Sequence, residues 1–270
     1  VVPTDRSDLW IRRYQPAPQA PTRLICFPHA GGSASYYHPV ARMLGQDCDV
    51  LALQYPGRQD RYREAPLESV RELVAAVRQA LDPWLDRPYA FFGHSMGAVL
   101  AYETARLLEG GTSPGPCRLF VSGRRAPSRT RTESVHLLSD SALAAHVKDL
   151  SGTDPSLLRD EELMRLFLPA LRADYKAVET YRGGPDGQVR CPVTVFSGDR
   201  DPMTTREEAE AWRKHTSAAS EVLRYPGGHF FLNEHATNVV AEIRKRDWSA
   251  CGDHGRCPAD TVRDASTSNL

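Results

Sequence analysis

The pentapeptide Gly93-His94-Ser95-Met96-Gly97 sets a hydroxyl between two glycines, after the apolar run Tyr89 to Phe92 and before a helical stretch from Ala98 to Glu109. Strand, sharp turn and helix in that order make a nucleophile elbow. The serine backbone is forced into a tight turn, and a Cβ two positions to either side would clash with strand or helix. The turn puts the hydroxyl at a helix N-terminus, whose free N–H groups and dipole favour an oxyanion. The alternative is a serine that merely caps a helix in a glycine turn, and the flanking elements argue against it.

A serine nucleophile needs a base, and the base needs an acid to orient it. With this elbow the three follow chain order Ser, acid, His. Ser197-Gly198-Asp199-Arg200-Asp201-Pro202 directly follows the apolar run Val193 to Phe196, which puts two acids at the carboxyl edge of a sheet. Pro202 fixes the chain just after Asp201, whereas Asp199 is better suited to capping the turn, so Asp201 is favoured over Asp199. Among nine histidines, His229 follows both the elbow and the acid turn and ends a strand behind Gly227-Gly228, which makes it the expected base. His235 reads as a surface helix residue. One oxyanion N–H is expected from Met96, the residue after the nucleophile, and the other from a loop after an early strand. Phe27-Pro28-His29-Ala30-Gly31-Gly32 is such a loop, and by position Ala30 supplies the N–H while His29 braces the turn.

Those groups need a sheet to hold them. Leu24–Phe27, Val50–Leu53, Tyr89–Phe92, Arg118–Val121, Val193–Phe196 and Val222–Tyr225 read as strands, mostly as the continuous apolar runs of a sheet covered on both faces. Helical spacing over Leu67–Leu85, Val99–Leu108, Thr205–His215 and Asn238–Arg246 alternates with them, which predicts an α/β fold with a mostly parallel sheet. The interval from Ser122 to Pro192 is too long for one crossover. Its helical patterns, near Ser139–Leu150, Asp160–Phe167 and Leu168–Tyr181, predict a helical lid over one end of the sheet, about residues 128–185. Leu168, Leu171 and Tyr175 are candidates to line an acyl pocket beneath it. Residues 1–246 are expected to form the folded domain. Residues 247–270, rich in Asp, Ser, Thr and Gly, are expected to be disordered.

The composition narrows the function. The 270 residues carry Lys+Arg 34 and Asp+Glu 34, and this balance argues against a nucleic-acid binder driven by phosphate neutralisation. No apolar run approaches a membrane span, and Val1-Val2-Pro3-Thr4-Asp5 lacks a signal-peptide core, so a soluble cytoplasmic protein is expected. Cys26, Cys48, Cys117 and Cys191 read as isolated buried thiols. Cys251, His254 and Cys257 resemble half a zinc site without a fourth ligand, so no metal is expected. Arg124, Arg125, Arg129 and Arg131 form a basic run that reads as a solvated loop or as a dock for an acidic partner. No long exposed apolar stripe is evident, and a monomer is expected.

Taken together, these motifs are more specific than the elbow alone. Phe27-Pro28-His29-Ala30-Gly31-Gly32 with Tyr36-Tyr37, Gln54-Tyr55-Pro56-Gly57-Arg58, Gly93-His94-Ser95-Met96-Gly97, Ser122-Gly123-Arg124-Arg125-Ala126-Pro127 and Pro226-Gly227-Gly228-His229-Phe230-Phe231 resemble the type II thioesterases of polyketide and nonribosomal peptide synthases, within the α/β-hydrolase superfamily. The resemblance runs from about Arg23 to Val240. It implies an editing enzyme that hydrolyses stalled or mis-primed acyl groups from the phosphopantetheine arm of a carrier protein, without cofactor. It also implies Ser95 as nucleophile, His229 as base, Asp201 as its partner, and Ala30 and Met96 as oxyanion donors. Carrier proteins are typically acidic, which would give the four arginines a docking role. An oxygen-ester lipase or carboxylesterase would use the same triad. A chain-releasing thioesterase is less expected, since no carrier domain precedes the fold. A catalytically dead scaffold would lack one of the three groups, and none is missing.

Overall fold

Apolar runs too short for helices pair into one sheet, and the amphipathic segments between them cover it. The computed structural model describes residues 7–111, 115–150, 161–184, 187–246 and 248. Seven strands appear: β1 Ile11–Arg12, β2 Arg23–Phe27, β3 Asp49–Leu53, β4 Tyr89–His94, β5 Arg118–Ser122, β6 Val193–Gly198 and β7 Ser220–Tyr225. Their order is β1-β3-β2-β4-β5-β6-β7, and every neighbouring pair is parallel except β1 with β3. All six strands expected from the sequence are present. β1 was not expected, because two residues carry no periodicity. The strands β2 to β6 are buried along their whole length, as continuous apolar runs require.

Eight α-helices complete the described residues: α1 Ser7–Trp10, α2 His38–Leu44, α3 Val70–Leu81, α4 Met96–Glu109, α5 Asp140–Asp149, α6 Glu161–Thr180, α7 Arg206–Glu210 and α8 Leu232–Lys245. One core packs α3 and α4 against a sheet face through Val74, Val77, Phe91 and Leu100, and the other packs α2 and α8 through Ala41, Leu44, Val240 and Ile243. The helix expected over 67–85 is shorter. Ser69 caps it by accepting from the Glu72 N–H at 3.2 Å, and a 3₁₀ turn containing Pro83 ends it. The helix expected over 205–215 splits into α7, opened by a Thr205–Glu208 capping box, and a 3₁₀ turn over Ala211–His215. The closing helix starts at Leu232, six positions before the expected Asn238, and kinks at His235.

Between β5 and β6 the two expected helical pieces over 160–181 are one helix, α6, which runs through Pro169. Its apolar stripe explains the continuity. Met164, Leu168, Leu171 and Tyr175 recur at helical spacing and pack with Leu143 and Val147 of α5 in a third core. Ala30, from the loop after β2, packs against the same core. Cys26, Cys48, Cys117 and Cys191 are buried free thiols. Cys251, His254, Cys257 and the rest of the expected tail lie outside the described residues, apart from Trp248. Among the described residues, no helix is long and apolar enough to cross a membrane.

Candidate active site

Ser95 joins β4 to α4 at φ 53°, ψ −116°, a left-handed conformation that costs a non-glycine residue about 1–3 kcal/mol. The two flanking glycines make the turn sterically possible. A Cβ on Gly93 would lie 2.2 Å from the Gly97 carbonyl oxygen, and one on Gly97 would lie 1.9 Å from the Phe27 carbonyl oxygen. The Ser95 N–H donates to the Ser122 carbonyl at 2.8 Å, which ties the elbow to the end of β5.

The ends of β4, β6 and β7 bring the three expected side chains together. Ser95 Oγ stands 3.0 Å from His229 Nε2, and His229 Nδ1 stands 3.1 and 3.0 Å from the two Asp201 carboxylate oxygens. A carboxylate only accepts, so Nδ1 donates and Nε2 is left to accept the serine proton. The side chains of His229 and Asp201 are 4% and 0% exposed, which keeps water from competing for these bonds. Asp201 also accepts the Met203 N–H at 2.8 Å. Asp199, the alternative acid, accepts the Gly227 N–H at 2.9 Å and so fixes the loop that carries His229.

The loop after β2 approaches the elbow from the other side. The Gly31 N–H donates to Asp174 at 2.7 Å and the Gly32 N–H to the His29 carbonyl at 2.9 Å. The N–H groups of Ala30 and Met96 have no acceptor among the described residues. Asp174, from α6, is 0% exposed and binds Arg58 through paired bonds of 2.7 and 2.9 Å. Arg58 in turn donates to the Gly32 carbonyl at 3.1 Å, so one ion pair grips the loop at both glycines. Sequence reasoning gave Arg58 no role and passed over Asp174. The signal was a carboxylate on the apolar face of a helix, between Leu171 and Tyr175.

Two further histidines pack behind the triad. His94 Nδ1 lies 3.0 Å from Ser122 Oγ, and its ring is 5.0 Å from that of His229. His29 stacks edge-on to Tyr36 and Phe230, in keeping with the expected bracing role. Burial, then the charges of His229 and Arg58, lowers His29 to about 3. Burial, then His229 and His29, pushes His94 well below its ordinary value. Both rings therefore stay neutral in the fold but titrate near 6.5 in the unfolded chain. Unfolding then takes up protons, so the stability present above 6.5 is lost progressively as pH falls toward 3. His215, also lowered by burial, adds to the trend. The urea midpoint is expected to fall between about pH 7 and about pH 5, a window above the ordinary carboxylate range. A flat midpoint across it would contradict neutral burial.

The basic run differs from its expected form. Arg124 and Arg125 are only 8% and 4% exposed, so neither forms a solvated docking face. Arg125 pairs with Glu133, and Arg131 pairs with Glu208 through a 2.8 Å bond from Nε. Of the four, Arg129 alone is exposed. The chain turns inward after Gly123 at φ 57°, which the clustering of arginines did not reveal. Among the described residues, no group of three or more His, Cys, Asp or Glu side chains could hold a metal ion.

A mostly parallel sheet with a serine elbow at the carboxyl end of a central strand, and a histidine and a carboxylate at the next strand ends, defines an α/β-hydrolase of the serine type. The Thioesterase domain family model matches residues 22–246, and the chain belongs to that family. It is 50% identical over 238 residues to thioesterase PikA5 of Streptomyces venezuelae, covering 88% of this chain and 85% of that protein. It is 49% identical over 239 residues to a probable cadicidin biosynthesis thioesterase of Streptomyces griseus, covering 88% of this chain and 66% of that protein. Among solved structures it is similar to BorB, the type II thioesterase of the borrelidin biosynthetic cluster. That match has a TM-score of 0.83 and 49% identity, covering 92% of this chain and 98% of BorB.

Proposed function

We propose that this thioesterase clears stalled or aberrant acyl groups from the phosphopantetheine arms of carrier proteins in a polyketide or nonribosomal peptide assembly line, with Ser95, His229 and Asp201 as its triad. The observation that carries the mechanism is the continuous relay Ser95–His229–Asp201, with both bonds of His229 near 3.0 Å. Ser95 Oγ attacks the thioester carbonyl as its proton passes to His229 Nε2. Asp201 holds the ring and stabilises the imidazolium. The carbonyl oxygen becomes an oxyanion between the Ala30 and Met96 N–H groups, which have no acceptor among the described residues. Collapse expels the thiolate, which takes the His229 proton. Water, deprotonated by the same nitrogen, then releases the acid and regenerates Ser95.

Within residues 128–185, α5 and α6 are assigned as a lid. The apolar core of Leu143, Leu168 and Leu171 borders Ala30, and an acyl chain attached to Ser95 would meet it there. The relatives named for biosynthetic pathways support an assembly-line substrate.

The test is a single holo carrier protein loaded separately with acetyl, propionyl, malonyl and a long chain, with acyl loss followed by intact-protein mass spectrometry. Release of the short decarboxylated groups is expected. Release of the long chain alone would replace editing by product off-loading. Cleavage of simple oxygen esters with no carrier-bound substrate consumed would remove the thioester reading.

A further inference from the structure

Arg124, at the end of β5, is almost wholly buried, yet its guanidinium makes no hydrogen bond or ion pair among the described residues, and its Nε is sealed from solvent. Arginine stays protonated in proteins, so among the described residues this is a buried positive charge without a partner. Burial, followed by the charge of Arg125, lowers its pKa to about 10, still far above neutrality. The carboxylates around it are committed elsewhere. Glu133 binds Arg125, Glu208 binds Arg131, and Glu179 accepts from the Val135 N–H at 2.8 Å and pairs with His136.

Arg124 borders a small pocket that Arg125, Arg129, Arg131 and Arg182 also line. Its lining holds five arginines and one carboxylate, Glu179, while Glu133 and Glu208 pair with Arg125 and Arg131, so the pocket carries excess positive charge. Its inner space, about 20 Å³, holds roughly one oxygen-sized group. The pocket lies against α4, the helix that Ser95 opens. Val99, one helical turn beyond Ser95, lines it, and a Cβ on Gly123, the residue before Arg124, would lie 3.4 Å from His229 Cε1.

We propose that the Arg124 pocket is a subsite for the phosphate of the arm that carries the acyl group. The inference rests on the thioester reading above. Phosphate fits better than an acyl carboxylate for two reasons. Arginines converging from several directions match an anion with several oxygens. The pocket is rimmed by charge, whereas an acyl group would lie against the apolar core of α5 and α6. One phosphate oxygen enters beside Arg124, and the remainder meets the outer arginines. The phosphate is a diester on a carrier-borne arm and part of a pyrophosphate in an acyl-coenzyme A.

The experiment compares acetyl-pantetheine, acetyl-phosphopantetheine, acetyl-coenzyme A and acetyl-carrier protein as substrates for the wild type, Arg124→Met and Arg124→Lys. Wild type is expected to prefer acetyl-phosphopantetheine over acetyl-pantetheine by about tenfold or more in kcat/KM, through KM. In Arg124→Met that ratio falls toward one, and Arg124→Lys restores part of it. Because the ratio is taken within each protein, a general loss of activity cancels. A ratio equal in wild type and Arg124→Met would overturn the subsite. If the carrier and coenzyme A substrates keep the phosphate preference in different degrees, their order identifies the natural source. A second readout needs no turnover. Inorganic phosphate is expected to raise the melting temperature of wild type and not of Arg124→Met. A phosphate shift shared by both proteins, or absent from both, would sink the proposal even if thioester hydrolysis holds. A shift confined to wild type would sustain the anion site even if thioester hydrolysis fails.

Discussion

Ser95→Ala is expected to lower kcat for acyl release by on the order of 10⁴–10⁶ while leaving the fold intact. The alanine keeps the Cβ that already fits the elbow, and the strain at φ 53° belongs to the backbone rather than to the hydroxyl. What disappears is the atom 3.0 Å from His229 Nε2, so the base has no proton to take and no acyl-enzyme can form. Water could still be activated by His229, and the Ala30 and Met96 N–H groups would still meet the oxyanion. The residual rate should therefore exceed the uncatalysed one. Asp201→Asn tests the relay from its other end, with an expected loss of about 10⁴. An asparagine amide can donate to Nδ1 and favour the tautomer whose Nε2 carries the proton, which cannot accept from serine. Both variants should retain the wild-type circular dichroism and melting temperature. Undiminished single-turnover release by Ser95→Ala would remove it from the mechanism. Labelling of wild type, but not of the variant, by a serine-directed phosphonate would localise the nucleophile directly.

The parts of this site that were legible in sequence share a property: each is a local signal at a strand end. Gly93 and Gly97 announce a turn whose neighbours leave no room for a Cβ, and the contacts at 2.2 and 1.9 Å are the reason. Asp201 and His229 each follow a continuous apolar strand, so parallel pairing delivers both to one edge. The missed features depend on contacts between distant segments. Asp174 lies 116 positions from Arg58, and nothing in either neighbourhood names the other. The inward path of Arg124 depends on a positive φ at Gly123, and without it four nearby arginines look like an exposed loop. The continuity of α6 past Pro169 rests on the opposite balance. A strong local breaker was outweighed by an apolar stripe packing on α5. Propensity is a weak prior where tertiary burial is large.

Asp174→Ala is expected to reduce kcat by about 10²–10³, comparable to loss of an oxyanion donor, with a smaller change in KM. The carboxylate touches no reacting atom. It acts by holding the Gly31 N–H at 2.7 Å and, through Arg58, the Gly32 carbonyl at 3.1 Å. Those two anchors fix the segment just beyond Ala30, whose N–H is the proposed oxyanion donor. The substitution also leaves Arg58 buried and unpaired, which costs about 3–5 kcal/mol in stability. A rate loss alone would therefore not separate positioning from partial unfolding. The double variant Arg58→Met/Asp174→Leu separates them. Replacing both members of a buried ion pair by apolar groups restores much of the stability. It provides neither the Gly31 acceptor nor the Gly32 donor, so kcat should stay low while the denaturation midpoint recovers. Asp174→Asn should do the reverse in part: it keeps an oxygen for Gly31 and regains some rate, yet weakens the pair with Arg58. Recovery of kcat together with stability in the double variant would reduce the pair to a structural brace. Divergence of the two would mean that α6, through Asp174, sets the geometry of the oxyanion loop. Any displacement of α6 when substrate enters would then alter the rate without moving Ser95, His229 or Asp201.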